Sequence, residues 1–200
     1  MVVGVSAGVP SAVELALRHP QRGRGLVLVV PRGYAPNTTA LPLSRSSLLV
    51  LRLMLASDFA YWSTRKLSGD GMVKRMGVRP DLLARASASE RERVIAMLDS
   101  VLPVGRRRAG LRNDLATRLT PLPLETIDQP TLIITARDDL LDTLPAAEFM
   151  ARRIAGAQLI VVDDGGHLFV NRHREVANAI GEFLADLQTS ERAPLPATPA

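Results

Sequence analysis

Nearly continuous apolar runs alternate along the chain with segments whose apolar residues recur at helical spacing. The apolar runs cover residues 1–3, 25–31, 130–136 and 157–162. Such runs are typical of strands buried on both faces of a sheet. The helical segments cover residues 9–19, 145–155 and about 174–187. Strands alternating with helices of crossover length predict an α/β fold with a mostly parallel sheet and flanking helices.

The long segment between the second and third apolar runs has a different pattern of apolar and charged residues. Residues 48–62 are apolar on almost every side, and residues 80–119 are arginine-rich with a helical pattern. We therefore predict a core from residues 1–31 and 121–187, a helical insertion over 32–120, and a proline-containing, disordered tail over 188–200.

Composition narrows the class of protein. Two hundred residues with 46% hydrophobic content predict one globular domain. The absence of cysteine excludes disulfides, thiolate chemistry and cysteine-ligated zinc. A net charge of +5 without a continuous basic stripe, and with 4% aromatic residues, argues against a nucleic-acid partner.

Membrane association is also disfavoured by the sequence. Arg52 and Asp58 interrupt an apolar stretch that is already shorter than the roughly 20 residues needed to cross a bilayer. The start of the chain lacks a basic segment followed by an apolar one, so no signal peptide is visible and a cytoplasmic location is predicted.

The motif Gly4-Val5-Ser6-Ala7-Gly8 lies between the first apolar run and the first helical segment. Gly-x-Ser-x-Gly at a strand-to-helix turn is the sequence form of a nucleophile elbow, which holds a serine hydroxyl clear of the backbone. We expect both glycines to be needed because side chains there would collide with the adjacent strand and helix. The alternative is that Ser6 only caps the helix.

Acidic residues and a histidine follow the last two predicted strands. Asp138, Asp139 and Asp142 come after the third run, and Asp163 leads into Gly165-Gly166-His167 after the fourth. The three clustered aspartates lack accompanying histidine spacing, so no metal site is predicted. We expect His19 and His173 to be ordinary surface residues.

These residues, in this order, resemble the α/β-hydrolase fold family, whose catalytic triad runs Ser, Asp or Glu, His along the chain. The resemblance implies that Ser6 is the nucleophile, that His167 is the base that activates it, and that Asp139 orients the histidine. Asp138 remains the main alternative acid, and Ala136 stands where the family usually has glycine. No cofactor is implied.

The resemblance also implies a site for the negative charge that develops on the substrate oxygen. The backbone N–H of Ala7 would be one donor, and the family takes the other from a loop after an earlier strand. The elbow begins at residue 4. We therefore expect a fragment, a misassigned start or a remnant gene, with a first strand whose open edge favours self-association.

By the same resemblance the insertion is a lid over the site. Met54, Phe59, Tyr61 and Trp62 would then line an apolar substrate pocket, unless they only pack the lid against the core. The predicted function is a serine hydrolase acting on an ester, amide or activated carbonyl of a small apolar molecule. The alternatives are a silent remnant or binding protein, and a carbon–carbon bond hydrolase or cofactor-free peroxidase with the same triad.

Overall fold

The structure, a computed structural model, describes residues 1–36, 45–117 and 119–192. One sheet holds four parallel strands in the order β1-β2-β3-β4. They are β1 (Val2–Val5), β2 (Leu26–Val29), β3 (Thr131–Ala136) and β4 (Gln158–Val162). The predicted α/β fold with a parallel sheet and flanking helices is confirmed.

Helices connect the strands and fill the long segment between β2 and β3. They are α1 (Val9–Arg18), α2 (Arg45–Met54), α3 (Asp58–Leu67), α4 (Gly69–Arg75), α5 (Pro80–Ala84), α6 (Ala88–Asp99), α7 (Val104–Ala116), α8 (Leu144–Arg153) and α9 (His173–Arg192). Helix α9 continues five residues beyond the boundary predicted at Leu187. Residues 188–192 are therefore helical rather than disordered, and residues 193–200 lie outside the described part of the chain.

The two faces of the sheet carry separate cores because successive strand residues point to opposite sides. Leu28 and Ile133 pack against α1 and α8 on one face. Val29 and Ile134 pack on the other face with residues of α9. This two-sided burial explains the continuous apolar runs, since neither face of β2 or β3 is open to water.

The helices α2 to α7 form a third core of their own. Its buried members include Met72, Val94 and Leu98 together with Leu168 and Val170 from the loop that follows β4. The inserted helical segment is thus attached through apolar contacts to the loop that carries His167. Within the described residues, no helix is both long and apolar enough to cross a membrane.

Strand β1 lies at an edge of the sheet, and no described strand pairs with its outer side. Two apolar residues of this strand, Val3 and Val5, are 49% and 54% exposed. Because an open apolar edge is a template for strand pairing, we expect the purified chain to self-associate with increasing concentration. Val3→Lys should shift the chain toward monomer in sedimentation velocity experiments.

The matched control for this prediction is Leu67→Lys, which adds the same charge at an exposed position at the end of α3. It should leave the association of the parent chain unchanged. A parent chain that stays monomeric at every concentration, or equal effects of both substitutions, would contradict edge pairing.

Candidate active site

The serine of the Gly-x-Ser-x-Gly motif directly follows β1, in a 3-10 turn that leads into α1. Ser6 adopts a φ of +50°, in the left-handed region that non-glycine residues rarely occupy. Such backbone is retained only where the surrounding structure fixes it. The neighbouring loop contributes to this, because the Arg32 N–H after β2 donates to the Ser6 carbonyl at 3.3 Å.

The two glycines of the motif differ in what the fold requires of them. A Cβ on Gly4 would lie 2.8 Å from Ala12 Cβ and 2.9 Å from Val9 Cα, so glycine lets α1 pack onto β1. A Cβ on Gly8 would meet nothing within 4 Å. The expectation that both glycines are needed for space is therefore correct for Gly4 and wrong for Gly8.

Three side chains meet at the carboxyl edge of the sheet. His167 Nε2 lies 2.7 Å from Ser6 Oγ, and His167 Nδ1 lies 2.7 Å from Asp139 Oδ2. An ionised carboxylate only accepts hydrogen bonds, so Nδ1 carries the ring proton and Nε2 is free to accept the Ser6 hydroxyl proton. The geometry thus connects a hydroxyl to a base, and the base to a buried acid.

The Asp139 carboxylate has further partners that the sequence did not indicate. Its Oδ1 accepts the Leu141 N–H at 2.8 Å, and its Oδ2 also accepts the Thr143 hydroxyl at 2.6 Å. The Thr143 oxygen in turn lies 2.9 Å from the buried Thr135 hydroxyl. With its proton directed to Asp139, Thr143 must accept from Thr135, and this chain holds the acid in place.

Asp138, the alternative acid, has a different position. Its Oδ1 accepts the Gly166 N–H at 2.8 Å, so it binds the backbone beside the histidine and not the imidazole ring. Ala7, the expected backbone donor, follows Ser6 in the 3-10 turn. Among the described residues, no cluster of three or more His, Asp or Glu is placed to hold a metal ion.

A glycine of the inserted helical segment joins the acid loop to the histidine loop. The Gly77 carbonyl accepts the N–H of Leu140 at 3.0 Å and the N–H of His167 at 3.1 Å. Gly77 has a φ of +76°, and a Cβ there would lie 2.6 Å from both Asp139 Oδ1 and His167 Cβ. The segment therefore contacts the candidate site directly, through a residue without a side chain.

Helix α6 supplies a buried carboxylate near the same loop. Glu90 is 4% exposed and receives hydrogen bonds from Arg93 and from the Asn171 N–H. His173 Nδ1 lies 3.0 Å from Glu90 Oε2, and its side chain is 42% exposed, so His173 is a surface residue that also contacts this buried carboxylate. Burial alone would raise the pKa of Glu90, but these hydrogen bonds and the positive charges of Arg93 and His173 hold that pKa below its usual value.

The four residues predicted to line a substrate pocket divide into two pairs. Met54 and Tyr61 are buried in the core of the inserted segment, and the Tyr61 hydroxyl donates to the Leu98 carbonyl at 2.7 Å. Phe59 and Trp62 are 74% and 45% exposed and stack on each other with ring centroids 6.1 Å apart.

That these four residues line a substrate pocket stays a prediction. Phe59 and Trp62 line a depression with Asp58, Leu102 and Pro103, and Ser6 is not among its lining residues. For Met54 and Tyr61, packing against neighbouring helices supports the alternative that they only pack the inserted segment.

Comparison with known proteins identifies related sequences. A sequence profile of the alpha/beta hydrolase family matches residues 1–179. The chain is 31% identical over 190 residues to a 2-hydroxymuconate semialdehyde hydrolase of Pseudomonas putida, covering 92% of this chain and 62% of that protein. It is 27% identical over 174 residues to a pimeloyl-[acyl-carrier protein] methyl ester esterase of Nitrosomonas europaea, covering 83% of this chain and 63% of that protein.

Comparison with solved structures supports the same fold. The crystal structure of serine hydrolase CCSP0084 from Cycloclasticus zankles superposes with a TM-score of 0.58 at 26% identity, covering 92% of this chain and 62% of that one. The chain thus spans about three fifths of the length of these relatives.

Proposed function

The chain belongs to the alpha/beta hydrolase family, and from this premise we propose that it is a serine hydrolase acting on an ester, amide or activated carbonyl of a small molecule. The observation that carries the proposal is the pair of 2.7 Å contacts linking Ser6 to His167 and His167 to Asp139. The similarity to a methyl ester esterase supports the ester class.

The proposed reaction proceeds through an acyl-enzyme. Ser6 Oγ attacks the carbonyl carbon as its proton moves to His167 Nε2, and Asp139 stabilises the imidazolium that forms. The Ala7 N–H, at the positive end of the turn that leads into α1, donates to the developing oxyanion. His167 then gives its proton to the leaving alcohol or amine, and a water molecule deprotonated by His167 releases the acid and restores Ser6.

Labelling with a fluorophosphonate probe tests the proposal. The folded chain should be labelled at Ser6, as located by peptide mass spectrometry, because only a serine activated by a base reacts readily with such a probe. Ser6→Ala and the heat-unfolded parent should remain unlabelled. Ser11→Ala, at an exposed serine on α1, is the matched control and should label like the parent.

A folded parent that is not labelled, or that is labelled at a residue other than Ser6, would reject the hydrolase proposal. It would instead favour a catalytically silent protein that retains the fold.

A second candidate is hydrolysis of a carbon–carbon bond by the same three groups. It is favoured by the 31% identity to a hydrolase named for a semialdehyde, a compound that has neither an ester nor an amide bond. Parallel assays with a p-nitrophenyl ester and with 2-hydroxymuconate semialdehyde separate the two. Turnover of the semialdehyde exceeding that of the ester would assign the carbon–carbon reaction.

A further inference from the structure

The loop that carries His167 has an unusual backbone. Gly165, Gly166, Phe169 and Asn171 all have positive φ, at +119°, +58°, +50° and +63°. Glycine adopts this region freely and asparagine tolerates it, but for Phe169 it is strained. A loop of this shape needs contacts from outside itself to persist in one conformation.

Helix α6 supplies such contacts on both sides of Phe169. Arg93 Nη2 donates to the Leu168 carbonyl at 2.8 Å, and Glu90 Oε1 accepts the Asn171 N–H at 2.9 Å. Arg93 also donates to both Glu90 oxygens, at 2.9 and 2.7 Å. The bidentate Glu90–Arg93 ion pair therefore contacts the loop at two positions. One is Leu168, directly after His167, and the other is Asn171.

We propose that Glu90 and Arg93 are positioning residues for His167, so that the inserted helical segment takes part in catalysis by holding the base within reach of both partners. The inference rests on the proposed function. The imidazole must keep two 2.7 Å contacts at opposite nitrogens. A small displacement of the Leu168 backbone moves the adjacent ring and lengthens at least one of them.

The alternative is that the pair only stabilises the attachment of α6. The two roles differ in what happens when the pair is replaced by apolar residues of similar volume. Such replacements of a buried pair are often neutral or stabilising, because the cost of desolvating two charges disappears. A purely structural role therefore predicts a folded and fully active protein, whereas a positioning role predicts a folded protein with impaired chemistry.

The test uses the double variant E90L/R93M in the full chain. We expect a melting temperature close to that of the parent, kcat on a p-nitrophenyl ester lowered by about 30- to 100-fold, and KM changed by less than about threefold. Glu92→Gln, an exposed glutamate on the same helix, is the matched control and should match the parent.

A second readout does not depend on turnover. The proton shared by His167 and Asp139 should give a far-downfield proton NMR signal in the parent, and this signal should broaden or vanish in E90L/R93M. If the parent proves inactive but the signal is lost in the variant, the positioning role stands while the proposed function fails. A folded variant with the parent kcat and the parent signal overturns the inference.

If the double variant does not fold, the single variant Glu90→Gln tests the positioning role instead. It keeps the shape and one acceptor oxygen but removes the charge that holds Arg93. It should lower kcat by about tenfold and broaden the same signal, and a parent-like signal and kcat in this variant would equally overturn the inference.

Discussion

Asp139→Asn is expected to lower kcat by about four orders of magnitude while leaving the fold intact. The amide cannot balance the imidazolium that forms when His167 takes the serine proton. Its NH₂ group would also donate to Nδ1, which places the ring proton on Nε2, where it faces Ser6 Oγ and blocks proton transfer. The measurement is kcat on a p-nitrophenyl ester together with the rate of fluorophosphonate labelling, both of which should fall.

Two neighbouring aspartates provide controls for this substitution. Asp142→Asn lies in the same loop at a φ of +53°, which asparagine tolerates, and it should change kcat by less than about threefold. Asp138→Asn keeps an oxygen that accepts the Gly166 N–H, so its effect should be intermediate. If Asp138→Asn were the more damaging substitution, the acid would be assigned to Asp138 instead.

The strands, and the three side chains that follow them, could be predicted from the local pattern of apolar residues in the sequence. The aliphatic runs at β2 and β3 are buried on both faces, so their patterns have only one structural solution. Parallel strands also bring their carboxyl ends to one edge. Ser6, Asp139 and His167 each follow a strand, and the fold places them together across 161 residues of sequence.

The supporting residues carry no local signal of this kind. Thr143 lies in a stretch whose pattern predicts only a turn and a helix start, yet its hydroxyl donates to Asp139. Glu90 lies on a helix with an exposed, charged pattern, and its burial arises from contact with a loop about 80 residues away. The sequence likewise left two roles open for Met54 and Tyr61, lining a substrate pocket or packing the inserted segment, because apolar residues do not reveal which neighbour covers them.

Gly77→Ala should be the most damaging change outside the three central side chains. The methyl group would lie 2.6 Å from Asp139 Oδ1 and 2.6 Å from His167 Cβ, distances that carbon atoms do not tolerate. The acid loop, the histidine loop or the Gly77 turn must move, and each of these movements disturbs the contacts of the Gly77 carbonyl with the two loops. Because a displacement of about 1 Å at a catalytic group costs about 10²-fold, kcat should fall by at least that factor.

The same substitution should also lower the free energy of unfolding. Alanine at a φ of +76° is strained, and this costs about 1–3 kcal/mol. The loss of activity should nevertheless exceed what unfolding explains, because urea titration would still show a folded chain under assay conditions. The far-downfield proton of the His167–Asp139 bond should be displaced or absent in that folded protein.

Gly110→Ala is the matched control, since it makes the same chemical change in α7 of the same inserted segment. A Cβ at Gly110 meets nothing within 4 Å, and alanine in a helix interior is favoured over glycine by roughly 0.5–1 kcal/mol. We therefore expect a slightly more stable protein with parent kcat. If Gly77→Ala instead folded with kcat within about threefold of the parent, the Gly77 backbone would have no part in joining the acid loop to the histidine loop.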